Sequence, residues 1–455
     1  MPSERRYVRL ETCDVSLIST AVQVTDQIAT TIMDPARVER IVQNNTRGLH
    51  GVEWVSSTLG AGSAGSAVFL LGHAARTGED QWYQAAFDNV RAAVKANNRS
   101  PIRALGLFSG VAGLAFTLNE CAEVESKFRP SAHRLHNRIV DEVMAMSWSF
   151  ETRKSVPTAE FDVISGMSGL LTYLSLSPWR TRATRVAVDH IAHYLSWLVC
   201  SAEVNQTFFQ SPDTFLKGAS NASNYPRGLV DANLAHGIGG VLFALTAVDG
   251  SGLSSLAMSE SIGRLVEWFR LTSNFETDRF CVPRALSKNA DGSLSADPLG
   301  ADDIRWCSGL VGSSTALMRA AAAVEDGPLL AAAREALLTS LELYLRDVPG
   351  DGPVWESPNL CHGLAGAATA LASLGGVPSQ RESSIFQTLV RRLMNLADKE
   401  APFVFTESNA CGAKLNDPTF LSGAAGVGAF LDLALSGNSP RWVQLFTGGP
   451  VNVEA

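Results

Sequence analysis

Apolar and polar positions along this chain fall into a repeating two-part unit. Seven times a Gly-x-x-Gly pair opens a segment rich in Ala and Leu and short of charge, with first glycines at Gly62, Gly110, Gly166, Gly237, Gly309, Gly363 and Gly423. Segments such as "GLVGSSTALMRAAAAV" and "GVAGLAFTLNECAE" are apolar on most faces, the pattern of helices buried all round. Between them lie stretches such as "QWYQAAFDNVRAAVKA", "TRVAVDHIAHYLSWLV" and "LLAAAREALLTSLELYLRDV", with apolar residues three and four apart and charges opposite. That spacing predicts helices with one wet face. Ahead of the first glycine pair, either "VSLISTAVQVTDQIATTIM" or "PARVERIVQNN" supplies a seventh outer helix.

Successive first glycines are 48 to 72 residues apart, too regular for chance and too variable for a short solenoid repeat. Seven inner and seven outer helices in alternation predict an all-α fold, an α/α toroid, as a single domain over residues 1–455. Turn-rich segments near 204–234, 274–306, 348–360 and 400–421 each lead into an inner helix. If the inner helices share a direction, these loops gather at one mouth, where a site is expected.

Composition narrows the function. At 455 residues and 46% hydrophobic the chain can bury a large core. A formal net charge of −8 gives no electrostatic case for nucleic acid, which calls for a basic face. The start, "MPSERRYVRLETCDVS", lacks the apolar centre of a signal peptide, and no run of eighteen apolar residues suggests a membrane span, so a soluble cytoplasmic protein is expected. Seven cysteines without a C-x-x-C pair argue against a disulfide framework.

The repeats serve as their own alignment. Directly before the first glycine stand Ala61, Ser109, Ser165, His236, Ser308, His362 and Ser422. Serine there reads as a helix N-cap, whereas histidine is not a favoured cap. One place earlier come Gly60, Phe108, Ile164, Ala235, Cys307, Cys361 and Leu421, so Cys307 and Cys361 are equivalent positions of consecutive repeats, with His362 following directly. Two thiols and an imidazole at neighbouring helix starts suit tetrahedral zinc with the fourth position open. Four places before the glycine the series is Thr58, Gly106, Asp162, Asn233, Arg305, Asn359 and Thr419, which adds a carboxylate and a guanidinium to the same rim. Taken singly, each residue has a plainer reading: a small buried cysteine, a structural His236, Asp162 as a cap, Arg305 as partner of a carboxylate. His190 and His193, three apart on an amphipathic helix, read as a solvated face. Cys13, Cys121, Cys200, Cys281 and Cys411 fall outside the pattern and carry no functional reading.

In order along the chain, "DVISGMSG", "DANLAHGIGG", "IRWCSGLVG", "NLCHGLAG" and "FLSGAAGVGAFLDLAL" resemble the successive motifs of the lanthionine synthetase C-like cyclases. The resemblance covers most of the chain, and the W-C-x-G and C-H-G pair is its specific part. It implies an α/α toroid with zinc at its mouth that adds cysteine thiols to dehydroalanine or dehydrobutyrine of a precursor peptide, forming lanthionine and methyllanthionine rings. It further implies Cys307, Cys361 and His362 as zinc ligands, His236 as the proton-transfer residue, Asp162 as its support, and Arg305 beside the metal. Ser308 departs from the tyrosine that bacterial cyclases often carry there. Some members insert a small β-rich module, for which no segment here is assigned. The expected partners are a dehydrated precursor peptide of leader plus core, a separate dehydratase, since no such segment precedes the first repeat, and an exporter in a membrane-associated complex. Addition of glutathione to dehydroamino acids, and a zinc-containing peptide-binding scaffold, are the alternatives that use the same residues.

Overall fold

The computed structural model describes residues 10, 15–45, 53–148, 150, 154–215, 223–249, 256–274, 282–298, 300, 303–346, 356–408, 414–437 and 440–449. Each glycine pair opens a helix: Ser63–Thr77, Val111–Val124, Met167–Leu176, Ile238–Asp249, Leu310–Ala323, Leu364–Ala372 and Ala424–Ser436. Every residue of Leu364–Ala372 is buried, as its lack of charge requires. The amphipathic stretches form Asp80–Arg99, Arg129–Ala145, Arg182–Cys200, Leu256–Thr272, Gly327–Arg346 and Gln380–Asn395. The last of these buries Ile385, Phe386, Leu389, Val390, Leu393 and Met394, a single stripe.

The helix starts differ from expectation in one respect. The N-cap is the glycine itself, extended at Gly309 and Gly363, and not the residue before it; no side chain caps either helix. The reason is steric. A Cβ on Gly309 would lie 2.5 Å from Asp303 Oδ1, and one on Gly312 would lie 1.9 Å from the Trp306 carbonyl oxygen. The preceding turn folds back over the first helical turn so closely that only hydrogen fits at both places.

Side chains further upstream stabilise that turn. Asp231 Oδ1 accepts the Asn233 N–H at 2.9 Å, Asp417 Oδ1 accepts that of Thr419 at 2.7 Å, and Asn233 and Asn359 accept those of His236 and His362 at 2.9 Å. These are Asx turns, in which a short polar side chain stands in for backbone.

By its contacts the chain divides into two compact units. The first comprises Met1–Ala104, Phe108–Leu135 and Leu341–Ala455. Within it the turns are joined by backbone hydrogen bonds, Cys361 N to Leu421 O at 2.9 Å, Leu421 N to Gly60 O at 3.0 Å and Gly60 N to Phe108 O at 2.8 Å. Both segments proposed for the seventh outer helix are helical, Val15–Ile32 and Pro35–Asn45. Val15–Ile32 takes that place, packing Leu17, Ala21, Val24 and Ile28 toward Ala424–Ser436 and Gln380–Asn395.

The second unit comprises Leu105–Leu107 and His136–Ser340. Its turns are joined likewise, Val163 N to Ala235 O at 3.0 Å and Ala235 N to Cys307 O at 2.9 Å. It also contains a four-stranded antiparallel sheet, β1 Phe209–Gln210, β2 Leu229–Asp231, β3 Pro283–Lys288 and β4 Leu294–Pro298, in that order. The sequence reading assigned no strands here. They are two to six residues long, without clear alternation, and β2 pairs Val230 with Leu286 from the other loop. Tyr225, Leu229 and Ala285, with Phe215 against them, give the sheet a small core.

Candidate metal centre and acid–base pair

Cys361 and His362 end a turn whose neighbours Asn359 and Leu360 are fully buried. That anchors the backbone while the His362 side chain stays 39% exposed. Asn359 grips the turn twice, Oδ1 taking the His362 N–H at 2.9 Å and Nδ2 donating to Ser422 O at 3.2 Å. Asn359 Nδ2 also donates to Glu407 Oε1 at 2.8 Å, and Ser357 Oγ donates to the same oxygen at 2.9 Å. Burial pushes the Glu407 carboxyl up to about 7, against the pull of His362, Ser357 and Asn359.

Cys307 follows fully buried Trp306 in the equivalent turn, its Sγ 3.6 Å from Ser308 Oγ. Cys307 stands in the second unit, and Cys361 and His362 stand at the equivalent turn in the first. Tetrahedral zinc, with bonds of about 2.3 Å to sulfur and 2.0 Å to nitrogen, sets donor atoms roughly 3.5 Å apart. The donor set fits that ion, because thiolate and imidazole are its preferred ligands and three of them leave one position open.

His236 and Asp162 meet within the second unit. Asp162 is buried, and its two oxygens have separate tasks: Oδ1 accepts the N–H groups of Ser165 and Gly166, both at 2.7 Å, and Oδ2 takes His236 Nδ1 at 2.6 Å. The carboxylate is thus cap and histidine partner together. Burial pulls the His236 pKa down, but the hydrogen bond and charge of Asp162, helped by Asp231 and Cys307, outweigh it, and the net direction is up. Asp231 is held up at about 6 by burial. The His236 side chain is half exposed.

Arg305 is held by Asp303 in a two-pronged pair, Nε to Oδ1 at 2.8 Å and Nη2 to Oδ2 at 2.5 Å, with Arg284 Nη2 3.5 Å from the same carboxylate. Asp303 belongs to a series the sequence reading overlooked. Six residues before the first glycine stand Asp231, Asp303 and Asp417 in three repeats, and extending the internal alignment by two positions exposes them. Glu407 had no such signal, because its loop has no counterpart among the other repeats. His190 and His193 pack on Trp148 and Phe150, with ring centroids 4.4 and 5.3 Å apart. The Cys121 thiol is buried and pushed well up, and Cys200 Sγ lies 3.4 Å from Ser261 Oγ. Cys13, Cys281 and Cys411 lie outside the described residues.

Residues 53–447 match the family model described as lanthionine synthetase C-like protein, and the chain belongs to that family. Among its relatives is the nisin biosynthesis protein NisC of Lactococcus lactis subsp. lactis, 22% identical over 269 residues. That match spans 57% of this chain and 60% of the relative's length. The solved structure of nisin cyclase superposes with a TM-score of 0.68 at 19% identity, covering 91% of this chain and 98% of that one. The fold is accordingly the α/α toroid of that family, mostly helical with few strands. Among the described residues no helix is long and apolar enough to cross a membrane.

Proposed function

We propose that this chain is a zinc-dependent lanthipeptide cyclase, working as one domain in the cytoplasm. Its substrate is a dehydrated precursor peptide whose cysteine thiols add to dehydroalanine or dehydrobutyrine. The observation that carries the reading is the recurrence of zinc-preferring donors at equivalent turns, Cys307 in one repeat and Cys361 with His362 in the next, in a chain of this family. A separate dehydratase supplies the peptide, and an exporter removes the product.

A cysteine thiol has an ordinary pKa of about 8.5, so most of it is protonated at neutral pH and unreactive. Cys307, Cys361 and His362 would hold the zinc ion, which when bound would supply the positive charge that lowers a thiol pKa. The sulfur then bonds to the β-carbon of the dehydro residue, the π pair moves to the α-carbon and its carbonyl, and an enolate results. Because Asp162 holds Nδ1 of His236, Nε2 is the nitrogen that exchanges a proton. His236 takes the thiol proton and returns one to the α-carbon. Arg305, fixed by Asp303, lends positive charge to the enolate oxygen. Ser308 has no phenol to offer and takes no step.

The test is incubation of a dehydrated, cysteine-containing peptide with the protein, then thiol alkylation and mass analysis. Cyclisation leaves the peptide mass unchanged and blocks alkylation. With glutathione present, a mass gain of one glutathione instead assigns intermolecular addition, and a peptide that stays fully alkylatable assigns a binding scaffold.

A further inference from the structure

Three repeats place an aspartate six residues before the glycine, and each accepts the N–H two residues on: Asp231 from Asn233 at 2.9 Å, Asp417 from Thr419 at 2.7 Å and Asp303 from Arg305 at 3.3 Å. Among the described residues, Asp231 and Asp417 do so without an arginine ion pair, whereas Asp303 pairs with both Arg305 and Arg284. The turn itself therefore does not need the guanidinium groups.

The second arginine arrives from outside the repeat. Arg284 lies on β3, and the pairing of β3 with β4 slips at that point: Pro283 faces Pro298 and Ala285 faces Asp297, which leaves Arg284 as the extra residue of a β-bulge. A bulge bends its strand and re-aims the side chain it carries. The Arg284 carbonyl still accepts the Ala232 N–H at 3.1 Å, while the side chain turns to Asp303, Nη2 3.5 Å from Oδ2.

Asp303 has little left to offer it. Arg305 already takes both carboxylate oxygens, at 2.8 and 2.5 Å. The Arg284 contact is too long for a good hydrogen bond, and Nε of Arg284 is buried with no hydrogen-bond partner among the described residues. Two guanidinium groups over one carboxylate leave one positive charge over. The Arg284 side chain is 38% exposed, against 10% for Asp303 beneath it. A guanidinium with donors to spare, aimed by the fold and open on one side, is suited to take a carboxylate in its planar fork.

We infer that Arg284 is a substrate-binding residue that takes a carboxylate of the precursor peptide beside the turn carrying Cys307. The inference rests on the peptide-cyclase reading. An acidic side chain and the peptide's own C-terminus offer the same chemistry.

Binding of unreactive peptides tests this apart from ring closure. Short fluorescein-labelled peptides, with alanine in place of the dehydro residue, are titrated with the purified full chain and followed by anisotropy. One is amidated and carries Glu beside its cysteine, one is amidated and carries Gln there, and one carries Gln with a free C-terminal carboxylate. The wild type should bind a carboxylate peptide about 10- to 100-fold more tightly than the amidated Gln peptide. Which of the two it prefers tells side chain from terminus. Arg284→Gln should lose the preference, and Arg284→Lys, which keeps the charge without the fork, should keep only part of it, with melting temperatures reporting that each variant is folded. If Arg284→Gln does not fold, Arg284→Lys carries the test. Equal or no affinity for all three peptides in the wild type, or an undiminished preference in either folded variant, overturns the inference. A chain that prefers a carboxylate through Arg284 and closes no ring upholds it and sinks the cyclase reading; a chain that closes rings without the preference keeps the cyclase reading and loses this one.

Discussion

Asp162→Asn isolates the acid–base pair. Asparagine keeps the oxygen that accepts the Ser165 and Gly166 N–H groups at 2.7 Å, so the turn is retained. It puts an amide NH2 where Oδ2 took His236 Nδ1 at 2.6 Å, and a donor facing a donor drives the imidazole to its other tautomer. Nε2 then carries the neutral ring's proton and cannot take one from the thiol. A positioned acid–base group contributes about 10²- to 10⁴-fold, and losing the carboxylate behind a catalytic histidine has cost about 10⁴-fold in hydrolase triads. The expected loss in cyclisation rate is therefore about 10²- to 10⁴-fold, which is about 3 to 5 kcal/mol of barrier. The pH dependence supplies a second signature. His236 is raised in the folded wild type, so its acid form persists to higher pH, and the stability it contributes is present below about 6.5 and fades as pH rises through the raised value. Without the Asp162 charge the fall in activity on the alkaline side should move to lower pH. Initial rates of ring closure across pH, with circular dichroism to confirm folding, measure both effects. A folded Asp162→Asn protein with the wild-type rate and an unmoved alkaline limb refutes the pair's role.

Replacing Cys361 or His362 by Ala should lose bound zinc and cyclisation together, measured as metal per chain and as alkylatable thiol; a fully active zinc-free variant would end the mechanism. Exhaustive chelation of the wild type should abolish ring closure, and added zinc should restore it. Gly312→Ala places a Cβ 1.9 Å from the Trp306 carbonyl, and the turn that carries Cys307 must shift. A loss of about 1 to 3 kcal/mol in urea unfolding is expected, with weaker zinc binding, whereas Gly72→Ala, whose Cβ meets nothing within 4 Å, should be tolerated.

Much of this protein is written in short-range pattern. Seven glycine pairs, each before a charge-free segment, predict seven buried helices, because the sterics that demand glycine act between residues six apart or fewer, as at Gly312 and Trp306. The internal alignment placed Cys307, Cys361, His362 and His236 at corresponding turns for the same reason. It misjudged the cap, giving it to serine when the glycine occupies that place and Asx turns upstream do the bonding. It also found no strands, since β2 and β3 are joined only by pairing across more than fifty residues, as between Val230 and Leu286. Tertiary structure alone decided which carboxylate each histidine meets. Asp162 reaches His236 from 74 positions away, and Glu407 reaches the Asn359 amide beside His362 from 48. A repeat pattern assigns equivalent histidines equivalent places, but the carboxylate nearest each arrives from another part of the chain, and no local spacing encodes that approach.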